Sequence, residues 1–225
     1  MREFIDAIVS NWQLIKDHCQ DESWLPTGVN EDEYLGFGSF GCVFSTNDDE
    51  VVFKVTTDVS EYTFVDYLIE NENRFDGIVK YFGLLEIKSS DPSLRMFAMW
   101  REAAHGIGLP FDGATSLKWT GESVYTLSRN ADKALAFLMI DYPKIQEITS
   151  YKKCSQTEAL ASELFYYREK IFNLKRGEIR NSLFELFGNH WVLCDVRTQN
   201  IGFVKRNGKQ VQVIIDPGLA IDFSV

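Results

Sequence analysis

From residue 3 to residue 19 the apolar positions Phe4, Ala7, Ile8, Trp12 and Ile15 recur at helical spacing, which predicts an amphipathic opening helix. A turn-rich stretch, "QDESWLPTGVNEDE", closes this segment. The pattern then shortens to β-type runs: "EYLGFG" and "CVFST" joined through glycines, a "DDE" turn, and "VVFKV". Residues 59–73 return to helical periodicity, with Phe64, Val65, Leu68 and Ile69 on one face. "GIVKYFGLLEI" and "RMFAMW" read as two further strands about an "SSDPS" turn. The first hundred residues therefore predict β-β-β-α-β-β.

After Trp100 the pattern changes. "REAAHGIGLPFDGAT" is a connector of small residues, and "ADKALAFLMI" predicts a helix. A long helix is predicted from Ser155, where "SQTE" has the form of a capping box, to about Phe187. Short strands around a loop come next, and the Asn207-Gly208 pair makes "IGFVKRNGKQVQVII" a β-hairpin.

The 225 residues suffice for one large domain or two small lobes. A formal charge of -10 argues against a nucleic-acid backbone or an anionic membrane as the main partner. No apolar stretch reaches membrane-span length, and charges interrupt the opening segment, so neither a membrane span nor a signal peptide is expected. The four cysteines (Cys19, Cys42, Cys154, Cys194) are scattered without a C-x-x-C pair, which fits a reducing cytoplasm. His18, His105 and His190 stand apart and make no metal or triad set. The acidic "NEDE" before the glycines reads as a solvated turn.

Four groups of residues carry candidate chemistry. Gly36, Gly38 and Gly41 form G-x-G-x-x-G, where backbone N–H groups can approach phosphate oxygens with no Cβ in the way; the plainer reading is a glycine-rich hairpin. A second strand after the glycines excludes the strand-loop-helix form of dinucleotide sites. Lys54 lies within an apolar strand, either reaching a buried partner or snorkelling from an edge. Its carboxylate partner is Glu61 or Asp66. Helical phase favours Glu61, which lies near the middle of the apolar face, although an acid in a first turn also suits the helix dipole. In "CDVRTQN", Asp195 can take a hydroxyl proton, Arg197 can neutralise phosphoryl charge, and Asn200 can ligate Mg²⁺. In "IIDPG", Asp216 ends an apolar strand where a second metal ligand is wanted, although Asp-Pro-Gly is also an ordinary turn.

Taken in order, glycine loop, strand lysine, helix carboxylate, D-x-R-x-x-N and D-x-G resemble the protein-kinase family. The resemblance runs from about residue 30 to the end. In detail it is most similar to the short protein-kinase domains of T7-like phages. It implies an α+β, bilobal fold. A small antiparallel sheet lobe with one helix would occupy residues 1–103, and a reduced, mainly helical lobe with the catalytic loop residues 104–225. ATP would lie between them. Lys54 would contact its phosphates, Val43 and Val52 would cover the adenine, and Met99 would stand at the gatekeeper position. The backbone of Trp100–Glu102 would bond the adenine edge, with Asn200 and Asp216 as the Mg²⁺ ligands.

The departures matter as well. Leu193-Cys194 replaces the usual His-Arg, Pro217 replaces the phenylalanine of D-F-G, and Gly202 stands where an aliphatic side chain usually floors the adenine. "LAIDFSV" alone comes after Gly218, so residues 104–190 are expected to supply much of the larger lobe. The implied activity is that of a minimal serine/threonine protein kinase. A phage or effector origin would make host proteins its substrates. The alternatives are a small-molecule kinase of the aminoglycoside phosphotransferase type, and a non-catalytic acidic module that binds and inhibits a host protein.

Overall fold

The structure, a computed structural model, describes residues 13, 34–37, 41–87, 95–106, 117–118, 167–169, 171–172, 174, 176–193, 195–196, 198–218 and 220–222. The expected helices at 3–19 and at "ADKALAFLMI" lie outside these residues, apart from Gln13, which is helical. The fold is α+β, with a five-stranded antiparallel sheet and few helices. The chain divides into two compact units, Met1–Arg74 with Val79–His105, and Phe75–Ile78 with Gly106–Val225.

The first unit holds the sheet. Its strands are β1 (Tyr34–Phe37), β2 (Gly41–Ser45), β3 (Val51–Thr56), β4 (Tyr81–Ile87) and β5 (Met96–Glu102), in the spatial order β1-β2-β3-β5-β4. Between β3 and β4 runs helix α1 (Val59–Glu70). The β-type runs form strands because both faces of the central strands are buried: Val52, Phe53, Lys54, Val55 and Thr56 of β3, and Met96 to Arg101 of β5. Phe53 packs on Trp100 with ring centroids 4.8 Å apart on one face. Tyr62 of α1 meets Phe97 at 4.4 Å on the other.

Helix α1 starts where Asp58 accepts hydrogen bonds from the backbone N–H groups of Ser60 (2.8 Å) and Glu61 (3.4 Å). It buries Glu61, Phe64, Val65 and Leu68 and leaves Asp66 exposed. "GIVK" does not belong to the fourth strand as expected, because β4 begins only at Tyr81. Residues 75–78 pack instead within the second unit, where Gly77 and Ile78 find partners that local alternation cannot reveal.

In the second unit the predicted long helix is not continuous. Residues 167–169 and 171–172 are helical, Leu174 closes that turn on the Ile171 carbonyl, and bends lead to Gly177, the N-cap of α2 (Glu178–Gly188). Glycine is a poor helix former, and here it stands at the break. The short strand β6 (Leu117–Lys118) precedes this helix and pairs with β8 (Asp195–Val196). β7 (Trp191–Leu193) pairs with β11 (Ala220–Asp222). β9 (Ile201–Arg206) and β10 (Lys209–Ile214) form the expected hairpin. Asn207 and Gly208 both take positive φ, 51° and 74°, as the two-residue turn requires.

Candidate functional site

The first unit gathers its predicted residues on one face of the sheet. Register partners run in a single row across four strands: Gly36 of β1, Val43 of β2, Lys54 of β3 and Met99 of β5. The neighbouring row holds Val52 opposite Arg101. Cross-strand partners and alternate residues along a strand share a face, so these side chains project together. Cys42 pairs with Val55 and projects from the opposite face, where burial raises its thiol pKa above the ordinary value.

Lys54 is buried, and its Nζ donates to Glu61 Oε1 at 2.5 Å. Glu61 is buried too, so of the two candidate acids it is Glu61 that pairs with the strand lysine. The Asp58 cap fixes the first turn of α1 and with it the position of this carboxylate. The helix periodicity pointed to Glu61 because an acid on an apolar face needs a partner.

The glycines differ in what they permit. A Cβ at Gly41 would meet the Val55 carbonyl oxygen at 2.7 Å, so close strand approach excludes a larger residue there. A Cβ at Gly36 would meet nothing within 4 Å, so the space beside this row is open. Gly38 lies outside the described residues.

The backbone at the end of β5 is partly engaged. The Glu102 N–H donates to the Lys80 carbonyl (2.8 Å), and the Ala103 N–H to the Glu50 carbonyl (2.7 Å). Trp100 turns its ring to the face opposite Lys54. Contact between the Glu102 N–H and an adenine edge, as the resemblance implies, is therefore pre-empted by the Lys80 carbonyl.

In the second unit two ladders bring together the chain on either side of the predicted residues. The β9–β10 hairpin opens at the Ile201–Ile214 pair, and the Ile215 N–H donates to the Asn200 carbonyl at 2.8 Å. Asn200 and Asp216 thus flank the mouth of one hairpin although sixteen positions separate them in the sequence. The β7–β11 ladder pairs Leu193 with Ala220 and so holds the two ends of the 193–220 span side by side. Asp195 lies in β8, with its backbone in register with Lys118. Arg197 lies outside the described residues. Asp216 Oδ1 accepts the Gly218 N–H at 3.0 Å, and Gly218 takes φ +61°, so D-x-G does form a tight turn.

Sequence reasoning missed Tyr167. Its buried hydroxyl accepts from the Leu193 N–H (3.1 Å) and donates to the Leu193 carbonyl (3.2 Å), holding the strand that leads to Asp195. Tyr167 stands in the aromatic run "LFYYREKIF", whose composition by itself reads as helix packing.

Among the described residues no group of three or more His, Cys, Asp or Glu side chains is placed to hold a metal ion. A Mg²⁺ site does not need one, since it takes one or two carboxylates completed by waters and phosphates. The carboxylate of Asp216 and the amide oxygen of Asn200 are donors of that hard-oxygen kind, so the residues present fit the ion. No helix among the described residues is long and apolar enough to cross a membrane. No protein-family model and no curated protein matches the chain.

Proposed function

We propose that the chain is an ATP-dependent phosphotransferase of the protein-kinase-like, bilobal kind, most consistent with a minimal serine/threonine protein kinase. The observation that carries the reading is the buried Lys54–Glu61 pair on a strand that comes after a glycine hairpin. A buried ion pair contributes little net stability compared with apolar side chains of the same size, so its presence calls for another use. Holding a lysine ammonium in place for phosphate oxygens is such a use. The row Gly36, Val43, Lys54 and Met99 adds open space and apolar cover on the same face.

In this reading Lys54 neutralises phosphate charge and Glu61 orients it. Asp195 accepts the proton of the attacking hydroxyl, and Arg197 offsets charge on the transferring group. Asn200 and Asp216 would hold Mg²⁺, which would supply positive charge to offset that of the phosphates. The chain's substrate would be a protein hydroxyl, with a host protein as target if the chain comes from a phage or effector.

Binding tests the reading first. The protein should bind ATP in the presence of Mg²⁺ and lose about tenfold or more in affinity when Asp216 becomes Asn, as loss of a carboxylate ligand to a hard cation implies. Titration calorimetry measures this. A folded wild-type protein that binds no nucleotide would remove the basis for the proposal.

A further inference from the structure

Arg101 stands near the end of β5 with only 6% of its surface exposed. Its Nε finds no hydrogen-bond partner, and no carboxylate pairs with it, among the described residues. A guanidinium taken out of water without acceptors for its donors is strongly unfavourable, so buried arginines are normally paired. The ladder fixes where this one projects. Arg101 is the register partner of Val52, two residues beyond Met99, which is the partner of Lys54. Arg101, Val52 and Lys54 therefore share one face of the sheet.

At the same stretch the backbone donors of Glu102 and Ala103 are spent on the Lys80 and Glu50 carbonyls. On the face that carries Lys54, the Arg101 side chain offers donors to a base at this end of β5. A guanidinium carries five donors and no acceptor. Guanine presents O6 and N7 as adjacent acceptors, which match that fork. Adenine presents N7 beside the N6 amino group, which would meet the fork donor to donor.

We propose that Arg101 reads the base of the bound nucleotide through a forked pair of hydrogen bonds to guanine O6 and N7, so that GTP serves this site at least as well as ATP. The inference rests on the nucleotide reading above and concerns its base specificity. Val52, opposite Arg101, supplies the apolar surface on which the purine lies.

Displacement of a fluorescent, non-hydrolysable nucleotide analogue by GTP and by ATP, with Mg²⁺, tests it on the full chain. The wild type should bind GTP at least as tightly as ATP. Arg101→Met should weaken GTP by about tenfold or more and change ATP by less than about threefold, as expected for a lost bidentate pair. Arg101→Lys should also weaken GTP, because lysine keeps the charge and loses the fork. Without nucleotide, Arg101→Met should melt no lower than the wild type, since an unpaired buried charge gives way to an apolar chain. A wild type that binds ATP much more tightly than GTP would overturn the inference and leave the nucleotide reading standing. So would an Arg101→Met protein that loses both nucleotides equally. A folded wild type that binds neither nucleotide sinks both.

Discussion

Glu61→Ala is expected to cost the folded state about 3–5 kcal/mol, because it leaves the Lys54 ammonium buried without this counter-ion. The size reflects an asymmetry. Both side chains are almost fully buried, so the desolvation of Lys54 persists after its carboxylate partner is gone. Removing both charges should behave differently. Lys54→Met with Glu61→Leu exchanges the pair for apolar chains of similar length, and the double variant should be as stable as the wild type or more so. Chemical denaturation of the single and double variants measures the difference. If the double variant folds and yet binds no nucleotide, the ion pair is kept for function. If Glu61→Ala is as stable as the wild type, the pair is not the buried one described here.

Gly77→Ala should be nearly as damaging. Gly77 donates its N–H to the buried Ser182 Oγ at 2.8 Å, and its carbonyl accepts the Ile214 N–H at 2.9 Å. Its backbone is therefore held from two sides, by α2 and by β10. A Cβ at this position would run into the backbone of Glu178 and Ile179, which cannot swing aside as a side chain can. Arg206 fixes the same segment by donating to the carbonyls of Asp76 (2.6 Å) and Ile78 (2.8 Å). Overpacking against backbone in so constrained a place should cost about 3 kcal/mol or more. For a chain of this size that lowers the melting temperature by roughly 6–12 °C. Gly36→Ala is the control, because a Cβ there meets nothing and the melting temperature should hold. Equal melting of the two variants would show that the 75–78 segment can yield.

These two glycines also mark how far the sequence could be read. The sheet was legible because its strands alternate or run apolar between strong turn signals, and the Asn207-Gly208 turn could be named from two residues. The choice of Glu61 over Asp66 was legible from helical phase, since only one of them falls among Phe64, Val65 and Leu68. The placing of Asn200 and Asp216 at the mouth of one hairpin was only half legible. The motifs named both residues, but the Ile201–Ile214 ladder that brings them together is a fact of register.

What stayed hidden depends on long-range packing. Gly77 and Ile78 read as the start of a strand because nothing local announces Ser182 or Ile214. The break at Leu174–Gly177 interrupts an apolar period that continues on both sides of it, so periodicity alone ran the helix through. Arg101 carries no signal of burial in "MWREAA". Its interest appears only once β5 is seen between β3 and β4. Tyr167 looks like any aromatic on a helix face until its hydroxyl is found on both backbone groups of Leu193.

The central claim is that this chain moves a phosphoryl group from a nucleotide to a hydroxyl. Incubating the purified protein with Mg²⁺, γ-labelled ATP and a cell lysate tests it most directly, with Asp195→Asn alongside. The expected result is label in discrete protein bands with the wild type and a loss of about 10²–10⁴-fold with the variant, as when a general base is removed. Nucleotide binding by the wild type with no label passed to protein or to small molecules would contradict the claim, and would identify a binding module instead.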